Sequence, residues 1–274
     1  MQAEGWVAVR QMVGKEVIEE MASTETASTS GSYIFSTETA STTVSDNNTT
    51  TQRLLSRQLQ GTVVAAKIIT TYAGTGIQGT SGDNGPATSA NLQYPNAVAL
   101  DSSGNLYISC NPYGYKIRLV TKSTGIITTY AGTGIQGTSG DNGPATSANL
   151  DGPYGVALDI SGNLYIADRS RIRLVAKNTA IITTCAGGGG GIGDNGPATS
   201  AALYGPQGVA LDISGNLYIA DRTNQRVRLV TKSTGIITTY AGTGTEGISG
   251  TESFSGDGGA ATSTNLGSPV ISME

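Results

Sequence analysis

The sequence predicts an all-β protein made of repeated four-stranded antiparallel sheets, arranged as the blades of a β-propeller. One motif, Val-Ala-Leu-Asp-x-Ser-Gly-Asn-Leu-Tyr-Ile, occurs three times, at residues 98–108, 156–166 and 209–219. Each copy is followed by Arg-Leu-Val and then by Ile-Ile-Thr-Thr. The period is about 55 residues with four strand-like runs, which fits one blade and is somewhat longer than the ~40–50 residues of common blade families.

Each repeat contains four predicted strands, A to D. Strand A is the Val-Ala-Leu-Asp run, strand B is Asn-Leu-Tyr-Ile, strand C holds Arg-Leu-Val, and strand D is Ile-Ile-Thr-Thr. The A–B link predicts a tight turn, because Gly adopts positive φ and an Asp side chain caps nearby amides. We expect three equivalent carboxylates to cap these turns: Asp101, Asp159 and Asp212.

The residue types in the strands favour propeller blades over a sheet with one solvent-exposed face. Strands A, B and D are small or apolar on both faces, as expected for a sheet that lies between two neighbours. Strand C is the exception, since it carries arginines such as Arg173 and Arg228. These charges should lie near the rim or be paired with carboxylates.

Residues 61–274 account for about four blade-equivalents. Beyond three full repeats, residues 68–74 predict one more strand D and residues 268–272 one more strand A. Residues 31–60 contain degenerate matches to strands B and C, so the chain could close a four-bladed ring. It could equally be a fragment of a larger ring. An open ring has bare strand edges, which would make self-association through blade edges an expected mode of partnership.

The part before the repeats has a different character. Apolar residues in residues 1–22 follow a helical spacing and predict a short amphipathic N-terminal helix. Residues 23–60 are rich in Ser and Thr and predict a linker, which would include the degenerate blade strands if the four-bladed ring closes. The predicted division is therefore 1–22 helix, 23–60 linker and 61–274 propeller repeats.

Composition excludes several classes of chemistry. The chain has no histidine, which excludes histidine general-base catalysis and histidine-containing triads. The net charge of −4 offers no overall attraction for nucleic acid or membrane. No signal peptide or transmembrane segment is visible, so the compartment stays undetermined. Cys110 and Cys185 share no spacing and predict two unpaired thiols.

The repeat resembles a known family. Residues 206–230, which read Pro-Gln-Gly-Val-Ala-Leu-Asp-Ile-Ser-Gly-Asn-Leu-Tyr-Ile-Ala-Asp-Arg-Thr-Asn-Gln-Arg-Val-Arg-Leu-Val, look like the NHL repeat. The Gly-Asp-Asn-Gly-Pro-Ala-Thr insert is similar to that of the long-loop variety of this family. The resemblance implies a propeller used for protein or RNA binding, with a minority of enzymes among its relatives.

Two recurrent loops have sequences that resemble ligand-binding sites. Gly-x-Gly-x-x-Gly follows strand D, but no helix can start there, so we expect a structural turn instead of a dinucleotide site. The inserts place four equivalent carboxylates that could contribute to Ca²⁺ binding: Asp83, Asp141, Asp194 and Asp257. Each loop offers at most one Asp and one Asn, so we expect the Asp to cap the following turn. No metal site and no cofactor are predicted.

The best candidates for binding lie in the B–C turns. Asp168-Arg169 and Asp221-Arg222 resemble the family's signature there, and we expect their carboxylates to pair with strand C arginines. In the first repeat this turn carries Tyr113 and Tyr115, residue types that anchor protein contacts. The predicted partner-binding set is Tyr113, Tyr115, Arg169, Arg222 and Asn224.

The predicted function is a non-catalytic binding or scaffold module for a protein partner. In an up-and-down blade the B–C and D–A connections emerge at the same end, so these loops should share one face. Two alternatives remain open. The first is a metal-dependent lactonase-like or lyase-like propeller enzyme, and the second is an RNA-binding NHL propeller, although an isoelectric point near 4.9 argues against a basic face.

Overall fold

The structure is a computed structural model that describes residues 68–245, 258–267 and 269. The predicted N-terminal helix, the Ser/Thr-rich linker with its degenerate strands, and Asp257 lie outside the described residues. So does the predicted strand A at residues 268–272, of which only Pro269 is described. All statements below concern the described part.

The described residues form three antiparallel sheets of five strands each, in the order insert strand, D, C, B, A. Sheet 1 contains β1 (Gly85–Pro86), β2 (Pro95–Leu100), β3 (Leu106–Cys110), β4 (Lys116–Thr121) and β5 (Ile126–Ala131). Sheet 2 contains β6 (Gly143–Pro144), β7 (Pro153–Leu158), β8 (Leu164–Asp168), β9 (Arg171–Val175) and β10 (Ile181–Gly187). Sheet 3 contains β11 (Gly196–Pro197), β12 (Pro206–Leu211), β13 (Leu217–Asp221), β14 (Arg226–Thr231) and β15 (Ile236–Ala241).

The four-strand meander predicted from the repeat is confirmed in every sheet. A register irregularity occurs near Gly208, where strand A meets strand B of sheet 3, and similar ones occur in sheets 1 and 2. Bulges of this kind increase the local twist of the strand.

The fifth strand comes from the insert, and the sequence did not reveal it. Gly85 and Pro86 pair with Ile127 and Ile126 at the start of β5, and the other two sheets repeat this pairing. Each insert thus runs along the outer edge of the sheet that follows it in the chain. A covered outer edge no longer presents free backbone groups to another chain.

The sheets are stacked as propeller blades. Strand A of each sheet contacts strand A of the next, through β2 with β7 and β7 with β12. The hydrophobic clusters lie between sheets: Tyr107 and Ile117 of sheet 1 pack with Ile166 of sheet 2, and Ala167 of sheet 2 packs with Ile219 of sheet 3. The all-β propeller architecture is therefore present, built from small and β-branched residues on both faces of each sheet.

One predicted strand is absent. Residues 68–74, expected to form a further strand D, contain no strand. Ile69 is 71% exposed, whereas its equivalents Ile127, Ile182 and Ile237 are fully buried. The prediction of a strand here was wrong. The segment keeps other contacts of the repeat, since Tyr72 and Ala73 pack against the core of sheet 1 and the N–H of Gly74 donates to Ala87 O at 2.9 Å.

Four short 3₁₀ helices lie in the described parts of the inserts, at Ala87–Ser89, Ala145–Ser147, Ala198–Ser200 and Ala261–Ser263. They seat small residues such as Ala90 and Ala148 against the sheet with no exposed surface. Across the described ranges, no helix is long and apolar enough to span a bilayer.

Candidate partner-binding surface

The B–C turns and the last residues of the D–A connections meet at one end of the blades. The N–H of Asn111, in the first B–C turn, donates to Tyr94 O at 3.0 Å, just before strand A of the same sheet. In sheet 3 the N–H of Thr223 donates to Tyr204 O at 3.0 Å. The N–H of Gly205 donates to Arg169 O at 2.8 Å and joins sheet 3 to the turn of sheet 2. These contacts hold each B–C turn against the start of its strand A and connect the turns of sheets 2 and 3.

This surface carries exposed tyrosines. Tyr113 is 69% exposed, and its ring centroid lies 6.2 Å from that of Tyr94, which is 39% exposed. Tyr204 of sheet 3 is 54% exposed. Tyr115 is half-buried, and its hydroxyl donates to Gln136 Oε1 at 3.3 Å. Tyrosine supplies a large amphipathic contact area with few rotatable bonds, which suits protein recognition.

Tyr94 and Tyr204 were missed by the sequence analysis, which took its candidate binding residues only from the B–C turns. A signal for Tyr94 existed, because the equivalent residues of the other repeats are Gly152 and Gly205. All three positions have positive φ, with values of 44°, 133° and 60°. A tyrosine in the left-handed region costs free energy that glycine avoids, and such residues concentrate at functional sites.

The three predicted polar residues differ in their availability. Arg169 is exposed, and its guanidinium reaches Asp151 Oδ1 only at 3.5 Å. Arg222 is also exposed. Asn224 is not free, because its amide donates to Asp221 Oδ2 at 2.7 Å. Asn224 therefore supports the turn, while Arg169 and Arg222 face solvent.

Two buried carboxylates hold the turns in place. Asp168 Oδ1 accepts the N–H of Asp151 at 2.7 Å, and Asp221 Oδ1 accepts the N–H of Tyr204 at 2.8 Å. Each thereby fastens a B–C turn to the end of a D–A connection. The expected cross-strand pairs with strand C are present, at 3.8 Å for Asp168 with Arg173 and 3.5 Å for Asp221 with Arg228.

Asp168 has the less complete environment of the two. Among the described residues, its Oδ2 atom has no hydrogen-bond partner. Burial raises the pKa of Asp168 to about 7, against the lowering effects of the Asp151 N–H and of Arg173. Burial also raises the pKa of Asp221, but the amide of Asn224 opposes that rise. The turn of sheet 2 is shorter and has no residue equivalent to Asn224.

The insert aspartates have a different role from the one expected. No side chain caps the 3₁₀ helices that follow them. Instead they form ion pairs with fully buried strand C arginines, at 2.6 Å for Asp83 with Arg118, 2.8 Å for Asp141 with Arg173 and 2.7 Å for Asp194 with Arg228. The turn-capping prediction was wrong because the insert folds back onto strands C and D of the next sheet, which brings the Asp to the arginine.

A strand D hydroxyl completes each of these sites. Thr129, Thr184 and Thr239 donate to the second oxygen of the same aspartates at 2.6 to 2.7 Å. Both carboxylate oxygens are thus occupied by protein donors. The described residues contain no group of three acidic or thiol side chains that could hold a metal ion.

The position of the inserts also corrects the expected binding face. The D–A connections begin and end beside the B–C turns, but their Gly-Pro segments pair with the start of strand D, at the C–D end. The B–C surface therefore includes only the first and last residues of each D–A connection. We define this surface by Tyr94, Tyr113, Tyr115, Arg169, Tyr204 and Arg222.

The opposite end of the blades contains the predicted turn caps. Asp101 accepts the N–H groups of Ser103 and Asn105, each at 2.9 Å, and Asp159 and Asp212 make equivalent contacts within their turns. Hydrogen bonds from Asn216, led by its side chain, lower the pKa of Asp212. The turn-cap interpretation of these three residues is confirmed.

A polar groove of about 470 Å³ lies on sheet 3, lined by residues of the insert and of strands C and D. Its lining includes Asp194, Thr239 and Arg226. Asp194 is already bound by Thr239, and Arg226 donates to Thr243 O at 2.7 Å. The polar groups that line the groove bond to other groups of the protein. We therefore attribute the groove to the packing of the insert against sheet 3.

The fold and the surface together define a propeller-blade protein. The family model described as NHL repeat matches residues 203–228, which include strands A and B of sheet 3 and the turn that follows them. The chain is 31% identical over 166 residues to NHL repeat-containing protein 2 of Gallus gallus, covering 57% of this chain and 22% of that protein. It is 34% identical over 100 residues to Protein SUPPRESSOR OF QUENCHING 1, chloroplastic, of Arabidopsis thaliana, covering 35% of this chain and 9% of that protein.

The chain therefore contains a match to the NHL repeat in its third sheet and is similar in sequence to an NHL repeat-containing protein. It spans less than a quarter of the length of either relative. One solved structure similar to this chain is an auxiliary nutrient binding protein from Bacteroides ovatus, with a TM-score of 0.45 and 20% identity. The match covers 67% of this chain and 44% of that chain. Virginiamycin B lyase from Staphylococcus aureus with quinupristin has 20% identity, a TM-score of 0.39, and coverage of 55% and 43%.

Proposed function

We propose that this chain is a non-catalytic module that binds a protein partner through the B–C surface. The observation that carries the proposal is the pair of exposed tyrosines, Tyr94 and Tyr113, in contact with each other at the end of sheet 1. Exposed aromatic rings of this kind are enriched in the central, energetically dominant parts of protein interfaces.

The rigidity of the surface supports the proposal. Asp168 and Asp221 are fully buried and hold the turns against the ends of the D–A connections. A surface held in one conformation loses little entropy on binding, so more of the contact energy appears as affinity. The exposed side chains therefore stand on a fixed backbone.

Site-specific photo-crosslinking tests this proposal. A photoreactive amino acid at Tyr113 or Tyr204 is expected to capture a protein partner in cells. The same amino acid at Ile160 or Ile213 is the matched control, because both are exposed in the A–B turns at the opposite end. Once the partner is identified, Tyr113→Ala should weaken its affinity by at least about tenfold, the effect of losing an aromatic anchor. Equal capture at both ends, or an unchanged affinity, would remove the proposal.

A further inference from the structure

The distribution of charge on the blades is uneven, although the whole chain is acidic. Lys116, Arg171 and Arg226 are the first residues of strand C in the three sheets and therefore adjoin the B–C turns. Arg169 and Arg222 lie in the turns themselves and are exposed. Five cationic side chains thus lie in or directly beside the B–C turns.

Few carboxylates offset these charges. Within the described residues, Asp151 keeps 18% of its side chain accessible, and Asp194, which lines the groove beside Arg226, is paired with the buried Arg228. Asp168 and Asp221 lie beneath the turns, are fully buried, and are directed towards Arg173 and Arg228. Every glutamate of the chain lies outside the described residues. The B–C surface is therefore locally positive.

The opposite end of the same blades is balanced. Each A–B turn carries one aspartate, and each C–D turn carries one lysine: Lys122, Lys177 and Lys232. The two ends of the blades therefore differ in charge, so the positive charge at the B–C surface does not follow from the composition of the repeat as a whole. It arises because the carboxylates of the B–C turns are buried while their arginines are exposed.

We infer that the partner bound by the B–C surface presents an acidic segment, with carboxylates for Arg169 and Arg222 and apolar side chains for the tyrosines. This inference rests on the proposed function and specifies the chemistry of the partner. Complementary charge steers association and disfavours wrongly charged partners. Guanidinium groups also bind carboxylates in a bidentate manner, which fixes their orientation.

Labelled peptides test the inference directly. Three fluorescein-labelled peptides share the same leucine and tyrosine residues and carry glutamate, glutamine or lysine at the remaining positions. Fluorescence anisotropy should show binding of the glutamate peptide, with affinity at least about tenfold above that of the glutamine peptide. The affinity should fall as salt rises, because exposed charges are screened. The lysine peptide should not bind.

Charge-matched variants locate the contact. The double substitution Arg169→Gln with Arg222→Gln should weaken the glutamate peptide by about tenfold. The control, Lys177→Gln with Lys232→Gln, removes the same charge from the same two sheets at the opposite end and should leave the affinity unchanged. An equal loss in both double variants would indicate a non-specific effect of net charge and would overturn the inference.

The remaining outcomes also decide the question. Equal binding of the glutamate and glutamine peptides, or no binding of the glutamate peptide, would overturn the inference. A single-stranded oligonucleotide that binds more tightly than the glutamate peptide would overturn it in favour of nucleic acid. A partner could also be captured at Tyr113 and bind with an affinity that does not depend on salt. That result would support the proposed function but overturn the inference that the partner is acidic.

Discussion

Arg228 Nη2 lies 2.7 Å from Asp194 Oδ1 and joins strand C of sheet 3 to the insert that precedes strand A of that sheet. The same guanidinium group donates to Ile192 O at 2.7 Å and lies 3.5 Å from Asp221 Oδ2. The arginine is fully buried, so these contacts compensate for the loss of its hydration. Equivalent contacts occur at Arg118 and Arg173. One buried arginine per sheet thus fixes the insert to the blade.

The first prediction concerns this arginine. Arg228→Met keeps most of the side-chain volume but leaves Asp194 and Asp221 without their cation, and should lower the free energy of unfolding by about 3–5 kcal/mol. Urea denaturation followed by circular dichroism measures the change. Arg222→Ala, an exposed arginine of the same sheet, is the control and should change stability by less than about 0.5 kcal/mol. Comparable losses in both variants would contradict the assigned role.

The second prediction concerns pH. Burial raises the pKa of Asp168 to about 7, whereas the side chain keeps its ordinary, lower pKa in the unfolded chain. Between these two pH values the folded protein holds a proton that the unfolded chain has released. The contribution of Asp168 to the free energy of unfolding should therefore increase by about 2 kcal/mol as pH falls from about 8 to 5. The same contribution should be lost when pH is raised back to about 8. Asp168→Asn should flatten this dependence in denaturation series across that range. A slope that persists in the variant would assign the titration to another group.

The third prediction concerns the packing of neighbouring strands A. A Cβ atom at Gly155 would collide with Gln207 O and lie 2.9 Å from Gly208 Cα, both backbone atoms of the next sheet. Gly155→Ala should therefore push sheets 2 and 3 apart and destabilise the protein by about 1–3 kcal/mol. Gly190→Ala is the control, because a Cβ there meets no atom within 4 Å. Thermal denaturation of the two variants should show a lower Tm only for Gly155→Ala.

The fourth prediction separates binding from stability at Tyr94. Tyr94→Gly supplies the residue found in the other two repeats at a φ of 44°. Relief of left-handed strain should offset the entropy that glycine adds to the unfolded chain, so stability should change by less than about 1 kcal/mol. Loss of the ring beside Tyr113 should weaken the partner identified by crosslinking by about tenfold. Affinity and urea denaturation of the same preparation check both parts.

The fifth prediction concerns the two cysteines, which are free thiols as the sequence indicated. Burial raises the pKa of Cys110 to about 11 and that of Cys185 to about 12. The thiolate is the reactive form, so both should resist alkylation in the folded protein near neutral pH. Mass spectrometry after iodoacetamide treatment should find both modified only in denaturant. Rapid labelling of the native protein would show that the thiols are accessible.

The repeat itself accounts for most of the fold that could be predicted. The turn between strands A and B depends on residues within a few positions, such as Asp101 and Asn105, and those local contacts are present. The four-strand meander follows from the order of apolar runs along the chain. Residues 68–74 show the limit of this reasoning, because the same motif forms no strand there.

The candidate binding surface was only partly predictable. Tyr113 was found because it interrupts the repeat within a B–C turn, and Arg169 because its Asp-Arg pair recurs at Asp221-Arg222. Tyr204 was missed because it lies in a different connection, and its proximity to the B–C turn is established by a hydrogen bond from the N–H of Thr223. Asn224 was included although its amide is committed to Asp221.

The sequence by itself determined the period, the four strands and the turns, because these depend on backbone preferences and on the spacing of apolar residues over short distances. The tertiary structure decided that the insert forms a fifth strand and that Asp141 binds Arg173, 32 residues further along the chain. It also decided which charges are exposed at the B–C surface. These features depend on the path of a loop across a neighbouring sheet, which no local pattern specifies.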